Sequence, residues 1–551
     1  MMNGADVIAA ILKQEGTEFL SCYPRNPVIE ACAELGIRPI LCRQERVGVG
    51  IADGYTRVKR GKINGVFAAQ QGPGIENAFA GVAQAFAENV PMLILPGGSA
   101  LARQYRHPVF DSVDVFGPVT KWAARAHHVS EIPGLMRQAY HAMRTGRGGP
   151  VLLEIPAEVW EQEFEGEIDY TPVEPLPLAA EREAVSRAAD ALLTAENPVI
   201  WAGQGVLYAD ATDELVALAE MLPAPVMTTN PGKSAFPENH ALSLGASTRS
   251  RPRQLVEMMK RCDVLFAIGS SLTKTPFGPM VPPGKRIIHS TNDASDINKD
   301  YQAELGVLGD SKLVLQALID AIAEKRGKSP ADGALQNLTQ EIAGIRDAWL
   351  ADWNDQLTSD ETPINQYRVI QDMMDTVDKD NVIITHDSGS PREQLLPFWQ
   401  ATQPLSYLGW GKSTQLGYGL GLNMGAKLAA PDKLCINVMG DAAIGMTGMD
   451  LETAARNGIG SLTIVFNNGV MAAERDVLVT STEKYGALTV SGNYSLVAQG
   501  LNVGATRVEQ PDDFIPALKK AMKITAEGKP YLIESVVKEG YDFARDALPG
   551  L

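Results

Sequence analysis

Leu434-Cys-Ile-Asn-Val-Met-Gly-Asp-Ala-Ala443 and, after a helix-length segment, Leu462-Thr-Ile-Val-Phe-Asn-Asn-Gly469 read as two buried strands joined by a helix. Both apolar runs have strand length, and each ends in a polar turn. Strand, crossover helix and second strand make the unit of a parallel sheet. The same alternation extends outward on both sides. Gly65–Ala69, Pro91–Leu95, Val151–Ile155, Pro198–Ala202, Val264–Ile268 and Val382–Thr385 are further apolar runs separated by helix-length segments. The expected fold class is α/β, with doubly wound parallel sheets.

The 551 residues hold three or four domains, at about 150 residues per domain. Two polar, proline-containing stretches break the chain: 163–183, with Pro172, Pro175 and Pro177, and 325–366, with Gly327, Pro330 and Pro363. Such segments commonly mark boundaries. The expected domains span residues 1–170, 185–330 and 360–551. The first and last share a plan. In the first, a strand ends at Gln70-Gln-Gly-Pro-Gly74, a helix runs from Asn77 to Glu88, and a strand follows at Met92–Leu95. In the last, a strand ends at Gly440-Asp-Ala442, a helix runs from Gly448 to Asn457, and a strand follows at Leu462–Phe466. A Gly/Ala-rich helix precedes each, Val47 to Arg57 and Leu416 to Leu428. Two similarly wound domains fit this repeat, although any two α/β domains share part of it.

Composition narrows the partners. The chain is 45% hydrophobic and 21% charged, with a formal net charge of -17. That balance disfavours nucleic acid or an anionic membrane as the main partner, and leaves a small anionic substrate open. No apolar run of about 18 residues is present, so no membrane span is expected. Cys22, Cys32, Cys42, Cys262 and Cys435 show no CxxC or framework spacing. Together with the lack of an export signal, this fits a reduced, cytoplasmic protein.

Asp441 follows a buried strand at the lip of the sheet, where α/β proteins bind ligands. Ala442 and Ala443 are small, and the next helix aims its N-terminus at the same point. Such a place suits a diphosphate, with Asp441 offering a hard oxygen to Mg2+. The next strand brings Asn467 and Asn468 to the neighbouring position. In the first domain Glu45 stands between the apolar run Pro39–Cys42 and the small-residue segment Val47–Tyr55. A carboxyl buried there would have a raised pKa. Taken singly, these are also what ordinary turns and a strand-end glutamate look like.

Gly440-Asp441 through Asn467-Asn468, with Asp441 and Asn468 27 positions apart, resembles the thiamine diphosphate signature. With Glu45 and Ala52-Asp-Gly-Tyr55, the chain resembles the acetolactate synthase/benzoylformate decarboxylase superfamily over nearly its whole length. The resemblance implies a thiamine diphosphate fold for the first and third domains and a Rossmann-like central domain. It implies Mg2+ held by the Asp441 carboxylate, the Asn468 side chain and the Val470 carbonyl, with Gly440, Ala442, Ala443 and Met471 against the cofactor. It makes Glu45 the acid that shares a proton with the cofactor's pyrimidine. Gln71-Gly-Pro-Gly-Ile-Glu-Asn77 corresponds to a cofactor loop containing Pro73 and Asn77. Asp387-Ser388-Gly389-Ser390, after the strand Val382–Thr385, fits a second diphosphate loop. Leu416 corresponds to the wedge that bends the cofactor, and the Thr414 carbonyl to the acceptor for its amine. Gln44 replaces the usual His before the glutamate, and Ala442 replaces Gly in the signature.

The branch is less legible. Glu474, six residues after Asn468, matches the proton-relay glutamate of pyruvate decarboxylases, whose His-His pair is reduced here to His107. His127-His128 falls later and reads as part of a strand. Leu244–Arg249 replaces the flavin pattern Gly-Met-His-Gly of acetolactate synthase, which weakens the expectation of FAD or ADP in the central domain. Gly445–Thr453 resembles 2-hydroxyacyl-CoA lyases and oxalyl-CoA decarboxylases, and Arg249, Arg251 and Arg253 would then face CoA phosphates; a solvated helix start fits them equally. The expected substrates are a 2-oxo acid, an aldehyde or an acyl-CoA. The expected assembly is a homodimer or homotetramer with sites between subunits. A structural subunit would not need Glu45, Asp441 and Asn468 together. A plain dinucleotide-binding enzyme is poorly supported, because Gly203-Gln-Gly205 lacks the third glycine.

Overall fold

Strands form where the chain is apolar on both of its faces. In the computed structural model, which describes residues 1–275, 281–326, 333–540 and 542–546, Val66 and Ala68 enter one core of the first sheet while Phe67 and Ala69 enter the other. In the third sheet, Ile436 and Val438 point one way and Met439 the other. This two-sided burial explains why the runs are continuously apolar rather than alternating.

Among the described residues there are three six-stranded sheets, and every pairing within them is parallel. With strands numbered in chain order within each sheet, the first and third both run 2-1-3-4-6-5. The shared plan expected from the sequence is therefore a shared topology. The central sheet runs 3-2-1-4-5-6, the Rossmann order. A small antiparallel pair, Met2–Asn3 with Glu163–Phe164, closes the first domain.

Several element limits differ from the sequence reading, each for a local reason. The helix after Gly440 starts at Asp441 rather than Gly448, because Ala442 and Ala443 are strong helix formers. It breaks at a one-turn 3-10 segment, Gly448–Asp450, before resuming as Leu451–Asn457. The helix expected from Asn77 starts at Pro73, whose fixed φ suits a first helical position. The helix expected from Leu416 starts at Tyr418, because Gly417 has φ +87° and leaves Leu416 outside. His127-His128 is not in a strand. That strand is Trp122–Arg125, and His128 Nδ1 instead accepts the Ser130 N–H at 3.2 Å, starting a helical turn. The stretch 325–366, read as a linker, contains the helix Ala334–Leu357. It buries Ile342, Trp349 and Leu357 and packs Leu335, Leu338 and Ile345 part-buried on the central core, while polar residues fill its other positions and give the stretch a linker's composition. Trp349 stacks on Phe398 of the third domain at 4.8 Å. Gly327 and Pro330 lie outside the described residues.

The first and third domains meet through two glycine-faced helices, Glu45–Val58 and Tyr418–Ala429. Gly50 and Gly54 lie one turn apart on the first, and Gly421 and Gly425 on the second. A Cβ at Gly54 would lie 2.0 Å from the Leu422 carbonyl oxygen, and one at Gly425 would lie 2.0 Å from that of Ile51. Backbone atoms form both obstacles, so side-chain rotation cannot relieve them. Gly54→Ala is expected to destabilise the chain by about 3 kcal/mol, the upper end for an overpacked site. Calorimetry checks this, and an unchanged melting temperature would show that the helices can separate.

Candidate functional site

The same helix pair sets out the site. Glu45 is the first residue of its helix and is 4% exposed. Its Oε2 accepts a hydrogen bond from Asn77 Nδ2 at 3.0 Å. Burial pushes the Glu45 carboxyl above its ordinary value, opposed by its own backbone N–H and by Asn77. Gln44 Nε2 and Arg46 Nη2 both donate to the Met446 carbonyl, at 3.1 and 3.2 Å. Met446 is near the C-terminal end of the helix Asp441–Thr447. Glu45 thus lies toward one end of a seven-residue helix and Asp441 begins the other; a helix of that length spans roughly 10 Å.

Asp441 is 3% exposed. Its Oδ1 accepts from the Ala442 N–H and its Oδ2 from the Gly469 N–H, both at 2.7 Å. The ends of two adjacent strands are therefore tied at one carboxylate. Burial raises the Asp441 carboxyl, and these N–H groups offset part of the rise. Gly469 turns the chain with φ +73°. Asn468 Oδ1 accepts from the Val470 N–H at 3.1 Å, and the Met471 N–H donates to the Leu488 carbonyl at 2.9 Å. A carboxylate, an amide oxygen and a backbone carbonyl at one turn form a donor set for a hard cation that completes its shell with phosphate oxygens and water. Among the described residues there is no cluster of three or more His, Cys, Asp or Glu side chains suited to a metal. This turn, rather than an acidic cage, is what fits Mg2+ with a diphosphate.

Asp387 opens the loop Asp387–Ser390, which the sequence reads as a second diphosphate contact without giving the acid a role of its own. It is wholly buried, and its carboxylate accepts N–H bonds from Ser388 and Gly417 at 2.8 Å and from Gly419 at 3.0 Å. Burial pushes it up to about 6 despite these donors. It fastens the segment carrying Thr414 and Leu416 to the end of the strand Val382–His386. Leu416 packs against the cluster containing Val47, Ile51, Ala443 and Ile444. An acid directly after a buried strand, the feature that marks Asp441, is the signal that identifies Asp387. Gly389 has φ +89° and leads into the helix Ser390–Phe398. Gly72, at φ +64°, does the same for Pro73.

The remaining sequence candidates lie elsewhere. Glu474 is solvent-exposed on the turn Ala472–Glu474. Arg253 pairs with Asp352 at 2.7 Å and with Asp546 at 3.2 Å. The Arg251 N–H is held by the Ala544 carbonyl at 2.8 Å, and Arg249 is exposed. A cavity of about 530 Å3 opens among the three domains, at the switch in the central strand order. Gly203, Gly205 and Gly269 line it, as do Arg147, Lys312 and Lys412. Arg249, Arg251 and Arg253 are not in its wall.

Asp450 is a further buried acid, pushed up to about 6 by burial. An acid raised in the folded chain is protonated in both states at low pH and carries its burial cost once ionised. Its contribution to stability therefore falls as pH rises from about 4, the unfolded value, to about 6. The stability difference between Asp450→Asn and wild type is expected to shift in the variant's favour across that window. Thermal melts at pH 4 and pH 7 check this, and a constant difference would place the carboxyl in the ordinary range.

The thiamine pyrophosphate enzyme N-terminal binding domain matches residues 2–117, the central domain 185–318 and the C-terminal binding domain 387–535. The chain is 29% identical to a probable acetolactate synthase large subunit of Methanocaldococcus jannaschii, covering 97% of this chain and 92% of that protein. It is 29% identical to an acetolactate synthase large subunit of Corynebacterium glutamicum, covering 98% and 87%. It is 27% identical to a glyoxylate carboligase of Escherichia coli, covering 98% and 93%. The chain belongs to the thiamine diphosphate-dependent enzymes, in the superfamily of acetolactate synthase. No helix among the described residues is long and apolar enough to cross a membrane.

Proposed function

We propose that this enzyme makes or breaks a carbon–carbon bond beside a carbonyl, as a 2-oxo acid decarboxylase and carboligase using thiamine diphosphate held by Mg2+. The observation that carries this reading is that both halves of a site are built: buried Glu45 held by Asn77, and the Asp441 turn tied to Gly469. Relatives named acetolactate synthase and glyoxylate carboligase support it. When bound, thiamine diphosphate supplies a carbon nucleophile and an electron sink for the bond that changes. Glu45 holds a proton at its carboxyl and shares it with the pyrimidine nitrogen, which a raised pKa favours. Asp441, Asn468 and the Val470 carbonyl hold Mg2+. Gly440, Ala442, Ala443 and Met471 border the diphosphate, with Pro73, Ser388, Gly389 and Ser390 as flanking contacts. Leu416 sets the bend, the Thr414 carbonyl orients the amine, and Glu474 moves a proton to or from the substrate carbon.

We place the working assembly at two or four copies, with sites shared between subunits. Phe79, Phe86, Met446 and Met449 support this: they stay exposed on the very helices that carry Asn77 and Asp441, or just beyond. Five free, buried cysteines suit the cytoplasm. The domain limits we propose are 1–170, 185–330 and 360–551. The 530 Å3 cavity favours a second reading, a 2-hydroxyacyl-CoA lyase with the nucleotide at the central switch point. Basic side chains in its wall suit phosphates, and FAD or ADP would use the same groups; for CoA, Arg249, Arg251 and Arg253 would have to turn toward the ligand. The test is titration of the apo-protein with thiamine diphosphate and Mg2+, followed by turnover of pyruvate, glyoxylate and a 2-hydroxyacyl-CoA. Failure to bind the cofactor overturns the first reading. Turnover of the CoA ester alone replaces it with the second.

A further inference from the structure

Two wholly buried carboxylates cross the glycine seam in opposite directions. Asp450, from the third domain, accepts the Arg43 N–H at 2.7 Å and the Thr453 hydroxyl at 2.9 Å, both on Oδ1. Arg43 stands two residues before Glu45. The helix Glu45–Val58 has no side-chain cap of its own, because Gln44 makes no capping bond. Glu88, from the first domain, directly follows the helix Pro73–Ala87. Its Oε1 accepts the Gly411 N–H at 2.7 Å and the Lys412 N–H at 2.6 Å, at the start of the segment that leads to Thr414 and Leu416. Gln84 Oε1, one turn earlier, accepts the Gln415 N–H at 3.3 Å.

The two grips occupy corresponding places in the repeated topology. Each held segment follows the second strand of its sheet, Arg38–Leu41 or Tyr407–Leu408, and precedes the glycine-faced helix. Each carboxylate comes from the crossover after the third strand, Val66–Ala69 or Leu434–Gly440. Neither is well satisfied. Asp450 Oδ2 and Glu88 Oε2 are buried without a hydrogen-bond partner. A half-satisfied buried carboxylate is a poor source of stability. It is, however, a strong and directional acceptor for backbone N–H groups.

We propose that Asp450 and Glu88 are a reciprocal pair of positioning residues, each fixing the backbone ahead of the other domain's cofactor-facing group: Asp450 for Glu45, and Glu88 for Thr414 and Leu416. This rests on the thiamine diphosphate reading above. Neither residue touches the cofactor; each acts through the segment it holds. The charge makes each grip strong, and the idle oxygen makes it costly. Replacing either by its amide keeps a carbonyl oxygen for the N–H groups. At Asp450 it also removes the cost of the buried charge, so stability and activity move in opposite directions, which a merely structural residue would not produce; Glu88 instead faces the buried Lys412 and Arg57 cations, so its amide carries no such gain.

The test uses the full-length holoenzyme with thiamine diphosphate and Mg2+, and reads hydrogen–deuterium exchange at the cofactor C2, cofactor Kd and melting temperature. Asp450→Ala and Glu88→Ala are expected to slow C2 exchange about tenfold to a hundredfold, as for a lost bond to a charged acceptor. Asp450→Asn and Glu88→Gln are expected to recover to within about threefold of wild type, and Asp450→Asn to melt higher at pH 7. Alanine variants that exchange at the wild-type rate overturn the proposal. So do amide variants that lose exchange as fully as alanine and melt lower. If the alanine variants do not fold, backbone amide exchange at Arg43 in Asp450→Asn, and at Gly411 and Lys412 in Glu88→Gln, read beside C2 exchange, decides it; protection lost while C2 exchange stays at the wild-type rate overturns the proposal. Glu45→Gln run alongside separates the two levels. If that variant still exchanges normally, Glu45 is not the activating acid and that part of the reading fails, whatever the outcome for Asp450 and Glu88.

Discussion

Glu45→Gln is expected to lower turnover by about 10²–10⁴, the range for a lost general acid, while cofactor affinity stays within about threefold. The glutamine matches the shape and keeps an oxygen for Asn77 Nδ2, so the local bond at 3.0 Å survives. What it loses is the proton that a buried carboxyl can hold and share. Burial drives that carboxyl upward, while the helix N-terminus and Asn77 restrain it. Burial therefore makes the carboxyl hold its proton more firmly than a surface glutamate does. Isothermal titration and C2 hydrogen–deuterium exchange separate binding from proton transfer. Wild-type exchange in the glutamine variant would remove Glu45 from the mechanism, and loss of binding would make it a structural residue instead.

Asp441→Ala is expected to weaken Mg2+-dependent cofactor binding by at least about 100-fold, beyond the 10–100-fold typical of an outer-shell partner. Two effects combine. The hard, charged oxygen is gone, and the Gly469 N–H loses the acceptor that holds it at 2.7 Å. Asn468 and Val470 then sit on a loop no longer tied to the neighbouring strand. Asp441→Asn separates the effects, because its amide oxygen can still hold Gly469 while carrying no charge. If the asparagine variant binds Mg2+ as wild type does, the metal lies elsewhere. If it binds as poorly as alanine, the charge on Asp441 matters more than its tie to Gly469.

The sheets were readable because parallel strands are buried on both faces. Val264–Ile268 is a strand where its apolar run placed it, and Val382–His386 extends its run by one residue. The cofactor signature was readable because its parts lie on one strand–helix–strand unit. Limits were less readable where helix propensity and turn glycines compete, as at Asp441 and Gly417. The helix Ala334–Leu357 carries an apolar stripe at helical spacing, Leu335, Leu338, Ile342, Ile345, Trp349 and Trp353, but its polar composition hides it when the segment is read by composition alone. Asp450 and Glu88 could not be found by any local rule. Their partners Arg43 and Gly411 lie 407 and 323 positions away, so only the folded chain brings them together.

The glycine seam also limits how the enzyme can move. Side chains at a normal helix interface can change rotamer and let the helices slide past one another. Here Gly54 faces the Leu422 carbonyl and Gly425 faces that of Ile51, with no side chain between to act as a bearing. The first and third domains are keyed together like a dovetail. Opening for substrate and release of product must then fall to pieces outside the joint. Catalytic speed in this chain would then be governed by short loops swinging on a fixed frame, not by closure of one domain on another.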